Sequence, residues 1–177
     1  MKKIIILYSS VDGHTKKICE FLSKHLSLNY EVEVLSIDRI RRNLLSNFDF
    51  LIVGASIRYG RHRRNVLSFV NKNHLYLTSE NSAFFSVNIV ARKPNKNSSE
   101  NNPYVKKFFS KTLWNPSIID VFAGKLNYPN YSFLNKVIIR FIMWVTKGPT
   151  DTTKVYTFTD WSKVYSFAKK IDLYLKK

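Results

Sequence analysis

The residues best suited to chemistry form one short polar segment near the start of the chain. It follows the apolar run 4–8, precedes a helical pattern over 15–28, and consists of Ser9, Ser10, Val11, Asp12, Gly13, His14 and Thr15. The first turn of a helix has unpaired N–H groups and a partial positive charge, and hydroxyl side chains can donate further hydrogen bonds. Gly13 allows the backbone to approach a ligand closely. The segment therefore predicts a phosphate-binding loop.

An ordinary capped turn is the alternative interpretation of this segment. It has neither the Gly-x-x-x-x-Gly-Lys-Ser/Thr pattern of nucleoside triphosphatases nor the Gly-x-Gly-x-x-Gly pattern of dinucleotide-binding folds. Asp12 would repel a phosphate unless its carboxylate points away. In the alternative, Asp12 caps the following helix and no ligand is bound.

Strand and helix patterns alternate along the chain and must position this loop. Apolar runs predict five strands, over 4–8, 31–37, 50–53, 83–87 and 117–122, with Gly54 ending the third. Apolar residues at helical spacing predict four helices, over 15–28, 65–77, 103–113 and 160–175. Asp160 stands at an N-cap position and Pro103 in a first turn. The alternation predicts a doubly wound α/β fold with a five-stranded parallel sheet, whose ligands bind at the carboxyl ends of the strands.

Length and composition favour one domain over residues 1–177 without a structural metal. The 177 residues are 45% hydrophobic and 15% aromatic, which is typical of a globular domain. The single cysteine, Cys19, cannot form an internal disulfide, and the four histidines lack metal-ligand spacing. The apolar run 4–8 is too short for a signal peptide, so we expect it to be the first strand of a protein from a reducing compartment.

The formal charge of +17 attracts anionic partners such as nucleic acid, anionic lipid or a carboxylated ligand. A compositional bias towards lysine is the alternative explanation. We find neither a nucleic-acid recognition motif nor an aromatic array suited to single strands. We therefore expect no nucleic-acid partner.

The start of the chain resembles the flavodoxins. The residues that carry the resemblance are Ile6-Leu7-Tyr8-Ser9-Ser10, Gly13, Thr15 and Leu22, and Cys19 stands where the family usually has alanine. In flavodoxins this loop wraps the phosphate of flavin mononucleotide (FMN). The resemblance thus implies an FMN cofactor and a flavodoxin-like sheet of order 2-1-3-4-5.

Further segments resemble the bacterial menaquinone-dependent protoporphyrinogen IX dehydrogenases, a flavodoxin-like family. They are Val53–Gly60 (Val-Gly-Ala-Ser-Ile-Arg-Tyr-Gly), Phe85–Pro94 (Phe-Ser-Val-Asn-Ile-Val-Ala-Arg-Lys-Pro), Ala123–Leu126, Tyr128-Pro129 and Thr159–Trp161. This family oxidises protoporphyrinogen IX in haem biosynthesis and passes the electrons to a membrane quinone, menaquinone or ubiquinone. By this resemblance, the cofactor-binding residues also include Ser56, Ile57, Arg58, Tyr59, Gly60, Ser86, Val87 and Asn88, with Tyr59 a candidate for stacking on the flavin ring.

Basic side chains occur in the same two loops. The resemblance implies that they surround the flavin and bind the substrate propionates, and the candidates are Arg61, Arg63, Arg92 and Lys93. A solvated basic edge is the alternative. We name no catalytic side chain, because the flavin itself would accept the hydride. Two other functions stay open: a flavodoxin-type electron carrier, which should stabilise a flavin semiquinone, and an NAD(P)H:quinone reductase, whose flavin a nicotinamide should reduce.

A basic and apolar insertion at about 127–153 separates the fifth strand from the last helix. At helical spacing its apolar face and bordering cations predict an interfacial helix, with membrane contacts from Phe133, Val137, Arg140, Phe141 and Trp144. The run is shorter than the roughly 20 apolar residues of a spanning helix. We expect a peripheral protein on the cytoplasmic side of the bacterial inner membrane. A core helix with two cations reaching solvent, and a surface for homo-oligomer formation, are the alternatives.

Overall fold

A computed structural model describes residues 1–40, 48–77 and 81–177. The strands in these residues are β1 (Lys3–Ser9), β2 (Glu31–Ser36), β3 (Phe50–Arg58), β4 (Arg61–His62), β5 (Ser82–Asn88), β6 (Ile118–Ala123), β7 (Lys125–Asn127) and β8 (Val155–Thr157). The helices are α1 (His14–Leu26), α2 (Arg64–Lys72), α3 (Pro103–Phe109), α4 (Phe133–Val145) and α5 (Trp161–Leu175). Strands and helices therefore alternate through most of the described chain.

The main sheet has the strand order β2-β1-β3-β5-β6, and neighbouring strands on this path are parallel. The short strand β4 folds back antiparallel onto the end of β3, and β7 and β8 form a separate antiparallel pair. When the parallel strands alone are numbered along the chain, their order is 2-1-3-4-5. The predicted flavodoxin-like sheet is thus confirmed.

Both faces of the sheet are covered, which explains the continuous apolar run in β1. Successive side chains of a strand point to opposite faces. Ile4 and Ile6 pack in the cluster that contains residues of α1 and α5, whereas Ile5 and Leu7 pack in the cluster that contains residues of α2 and α3. Burial on both sides therefore requires apolar residues at every position of this strand.

The sequence had predicted that Gly54 ends the third strand, and this prediction is wrong. β3 continues from Gly54 to Arg58. A Cβ atom at Gly54 would lie 2.2 Å from Cζ of Phe85, the residue paired with it on β5. The glycine is therefore required by the close approach of this ring, and the strand passes through it.

The helix ends differ from the predictions in several places. Asp160 caps α5 as expected, since its Oδ1 atom accepts hydrogen bonds from the backbone N–H groups of Ser162 and Lys163 at 2.9 and 3.2 Å. Pro103 begins α3 as expected. However, α1, α2 and α3 end at Leu26, Lys72 and Phe109, earlier than predicted. The interpretation of Asp12 as the cap of α1 is wrong, because the N-cap residue is Gly13.

Candidate functional site

The carboxyl ends of the parallel strands surround a cavity of about 60 Å³, which we call the phosphate-loop cavity. Residues from the three segments predicted to bind the cofactor, 9–15, 56–60 and 86–88, meet there. Its lining residues are Ser10, Val11, Asp12, His14, Thr15, Ser56, Ile57, Arg58, Val87, Asn88, Ile89, Gly124 and Lys125. The strand order accounts for this meeting, because β1, β3 and β5 are adjacent and parallel.

The phosphate-loop cavity contains buried polar atoms that have no partner within the protein. Thr15 Oγ1 and His14 Nδ1 are both buried and accept or donate no hydrogen bond in the described residues. Both belong to the first turn of α1, where backbone N–H groups are also unpaired. Gly13 has a left-handed conformation, with φ of 75°. Buried polar groups in proteins are normally satisfied, so the Thr15 hydroxyl and these N–H groups fit an anionic phosphate that would accept their hydrogen bonds.

A chain of hydrogen bonds fixes the protonation of His14. The hydroxyl of Thr159 donates its only proton to the carbonyl oxygen of Ala123 at 2.7 Å. The hydroxyl oxygen of Thr159 also lies 2.6 Å from His14 Nε2, and because its proton is already used it must accept a hydrogen bond from that nitrogen. Burial, with smaller contributions from Lys125 and Lys17, lowers the pKa of His14. In the neutral ring, Nδ1 therefore carries no proton and can only accept a hydrogen bond.

Asp12 forms an ion pair with Arg58 and does not cap helix α1. The Arg58 Nη1 atom lies 3.3 Å from Asp12 Oδ2. This contact joins the phosphate loop to the end of β3 and offsets the charge that would otherwise repel a phosphate. The difficulty that the sequence raised at Asp12 is thereby removed.

Some predicted cofactor residues lie beside the phosphate-loop cavity without lining it. The Ser9 hydroxyl is 3.3 Å from Asn65 Oδ1, and the Ser86 hydroxyl is 2.9 Å from His62 Nε2. Tyr59 is 74% exposed and donates a hydrogen bond to Asn135 Oδ1 at 3.3 Å. Their contact with a cofactor stays a prediction.

A second cavity of about 230 Å³, the apolar chamber, adjoins the phosphate-loop cavity. Asp12, Ile57, Arg58, Ile89 and Lys125 line both. Helix α4 covers the apolar chamber with four aliphatic or thioether side chains, those of Ile138, Ile139, Ile142 and Met143. A flat apolar molecule in this chamber would lie directly beside a ligand held at the phosphate loop.

The comparisons with known proteins agree with this geometry. The flavodoxin domain model matches residues 5–153. A protein named protoporphyrinogen IX dehydrogenase (quinone) from Leishmania major is 42% identical over 168 residues, which cover 94% of this chain and 73% of that protein. The protein of the same name from Escherichia coli strain K12 is 40% identical over 170 residues, which cover 96% of this chain and 94% of that one.

The chain belongs to this dehydrogenase family of the flavodoxin fold. The solution structure of two-electron reduced Megasphaera elsdenii flavodoxin has a TM-score of 0.53 and 11% identity, and the match covers 67% of this chain and 84% of that one. That likeness concerns the fold alone. Family membership and the phosphate-loop cavity together support a flavin cofactor at this edge of the sheet.

The four basic residues predicted to bind substrate are spread over several places in this family member. The Arg92 guanidinium donates to the Thr146 carbonyl and hydroxyl oxygens at 3.1 and 2.9 Å and to the Ile89 carbonyl at 3.2 Å. Arg63 pairs with Asp38 at 3.3 Å. Arg61 lines a third cavity, and Lys93 lines none of the three. They do not line one cavity together, because Arg92 lines the apolar chamber and is held there by carbonyl groups, whereas Arg63 is held by a carboxylate. Their contact with the substrate stays a prediction.

Helix α4 occurs where the sequence predicted it, and much of its surface is apolar and exposed. Phe133, Phe141 and Trp144 are 78%, 62% and 70% exposed, while Val137 and Arg140 also face solvent. Its buried side chain is Met143, which packs with Leu126 and Tyr128. Within the described ranges, no helix has the length and hydropathy needed to cross a bilayer.

Sequence reasoning missed several residues of the site. Ile89, Gly124 and Lys125 line the phosphate-loop cavity but were not named as ligands. The position of Gly124 and Lys125 directly after the predicted fifth strand was a usable signal, since that strand ends at the same edge of the sheet. Nothing in the sequence pattern pointed to the contact of Thr159 with His14.

Proposed function

We propose that this protein is an FMN-dependent enzyme that oxidises protoporphyrinogen IX to protoporphyrin IX in haem biosynthesis and passes the electrons to menaquinone or ubiquinone. The observation that carries the proposal is the apolar chamber beside the phosphate loop. A tetrapyrrole needs a large apolar site next to the flavin, and α4 provides the cover of such a site. The names of the relatives supply the reaction.

The side chains of this protein would bind and orient rather than react. Thr15 and the first N–H groups of α1 would hold the phosphate, and the Arg58–Asp12 pair would keep the loop against β3. FMN, when bound, supplies the acceptor for hydrogen removed from the substrate. The aliphatic side chains of α4 would exclude water from the chamber, and Lys125 would place a positive charge where both cavities meet. We assign no catalytic acid or base.

Anaerobic mixing of the flavin-loaded protein with protoporphyrinogen IX tests this proposal. We expect the flavin absorbance to bleach, and to return when a menaquinone or ubiquinone analogue is added. No bleaching by the tetrapyrrole would overturn the proposal. A stable semiquinone without tetrapyrrole oxidation would identify an electron carrier, and rapid bleaching by NADH or NADPH alone would identify a quinone reductase.

We propose further that α4 binds the protein peripherally to an anionic membrane surface, on the cytoplasmic side of the bacterial inner membrane. Exposed aromatic side chains along α4 support this, together with the neighbouring cations Lys136, Arg140 and Lys147. Each basic residue near an anionic bilayer contributes about 1 kcal/mol. A quinone dissolved in that bilayer would then lie close to the apolar chamber. Self-association through α4 is the competing use of this surface.

A further inference from the structure

A third cavity, of about 390 Å³, lies between α2 and α3 beside β4. We call it the basic cavity, because Arg61, Arg64, Lys107 and Lys111 line it. No aspartate or glutamate is among its lining residues. Phe108 supplies part of its apolar wall and packs face to face with Phe84 at 4.9 Å between ring centroids. The cations therefore line a cavity whose apolar wall is packed against the core residue Phe84.

The four cations of the basic cavity have no ion-pair partner among the described residues. Other basic residues close in sequence differ in this respect, since Arg58 pairs with Asp12 and Arg63 with Asp38. The high net charge of the chain explains why cations outnumber acids on its surface. It does not explain why cations from β4, α2 and α3 line one cavity without a carboxylate.

The basic cavity adjoins the apolar chamber. Gly60 and Tyr104 line both cavities. A Cβ atom placed on Gly60 would meet nothing within 4 Å, so the space next to this shared residue is unfilled. A ligand that has an apolar body and an anionic edge could therefore occupy the two cavities at once.

We propose that the basic cavity binds the propionate carboxylates of the tetrapyrrole while its ring system occupies the apolar chamber. This inference rests on the proposed function. Protoporphyrinogen IX carries its two propionates on neighbouring pyrroles, so both point from the same edge of an otherwise apolar ring. Arginine forms bidentate bonds with carboxylates, and two arginines line the basic cavity, Arg61 in β4 and Arg64 in α2. The carboxylates would thus set which edge of the ring faces the flavin.

The test compares two double variants that remove the same charge from the same two helices. Arg64→Gln/Lys107→Gln changes cations that line the basic cavity, and Lys72→Gln/Lys106→Gln changes exposed cations outside it. Binding of protoporphyrin IX and of its dimethyl ester is measured by fluorescence quenching, with flavin-loaded protein. We expect the first variant to bind the acid about tenfold or more weakly than wild type, with ester binding unchanged in both variants.

Turnover separates failure of this inference from failure of the proposed function. If the protein oxidises protoporphyrinogen, Arg64→Gln/Lys107→Gln should raise KM with little change in kcat and in flavin content. Equal acid binding by the two double variants would overturn the inference even if turnover is normal. Loss of anionic-vesicle binding without loss of acid binding would also overturn it, and would assign the cavity to lipid headgroups. Selective acid binding without oxidation would support the carboxylate site and overturn the function.

Discussion

The Nε2 atom of His14 lies 2.6 Å from the Oγ1 atom of Thr159. Thr159 also bonds to the Ala123 carbonyl, so the start of α1, the end of β6 and the segment before α5 are tied together at one edge of the sheet. The first turn of α1 is therefore held in place by the protein itself. An anion that binds there meets N–H groups that are already oriented, which lowers the cost of ordering the loop.

We predict that Thr15→Val weakens FMN binding and leaves riboflavin binding nearly unchanged. Thr15 Oγ1 is buried without a partner at the phosphate loop, and riboflavin lacks the phosphate. A hydrogen bond to a charged group contributes about 1.5–3 kcal/mol, so the FMN dissociation constant should rise roughly 10- to 150-fold. Flavin fluorescence titration measures both ligands. Equal weakening for FMN and riboflavin would contradict a phosphate contact at Thr15.

We predict that His62 makes the fold sensitive to acid. Burial lowers the pKa of His62 from 6.5 to about 3. The unfolded chain therefore takes up this proton below pH 6.5 while the folded chain does not, so stability falls as the pH is lowered from 6.5 towards 3. The slope is up to about 1.4 kcal/mol per pH unit. In urea unfolding, His62→Gln should reduce this slope, and His74→Gln, at an exposed position, should leave it as in wild type.

We predict that Gly54→Ala destabilises the protein by about 1–3 kcal/mol, because the new methyl group would overlap the Phe85 ring. Gly124→Ala is the matched control. Its Cβ atom would be 3.5 Å from Ile89 and Val87, which is ordinary contact. Chemical unfolding of the flavin-free proteins measures the difference. Equal stability of the two variants would show that Phe85 can move aside without cost.

We predict that Phe141→Ser/Trp144→Ser weakens binding to vesicles that contain anionic lipid. A fully buried aromatic side chain is worth about 1.5–3 kcal/mol, so a loss of tenfold or more is expected. The control is Leu28→Ser/Leu173→Ser, which removes exposed apolar side chains outside α4. Vesicle sedimentation measures binding, and sedimentation velocity reports self-association. If the α4 variant changes oligomeric state and not vesicle binding, α4 forms an interface between copies.

Much of the fold follows from local pattern. The apolar run 4–8 predicts a strand buried on both faces, and β1 shows both faces covered. The cap at Asp160 was also predictable, because its carboxylate needs only the N–H groups two and three residues further on. The end of β3 could not be predicted, because the need for glycine at position 54 comes from the Phe85 ring on the neighbouring strand. Local pattern contains no information about such a contact.

The candidate site was predictable where topology alone determines it. Adjacent parallel strands bring the segment after β1 and the ends of β3 and β5 together, which places Thr15, Ser56 and Asn88 at one cavity. The partners of individual charges were less accessible to sequence reasoning. Arg92 was expected at the substrate and does line the apolar chamber, but its guanidinium also bonds to Thr146, a residue far along the chain. Long flexible side chains reach partners that only the folded chain brings near.

The two ends of α4 are held with unequal strength. At its carboxyl end, half-buried Arg92 makes two bonds to Thr146, and its charge is favourable beside the final carbonyl groups of a helix. Near its amino end, the contact with the segment after β3 is one exposed hydrogen bond between Tyr59 and Asn135. Of these two contacts, the one near the amino end would break at the lower cost, because it is a single exposed hydrogen bond.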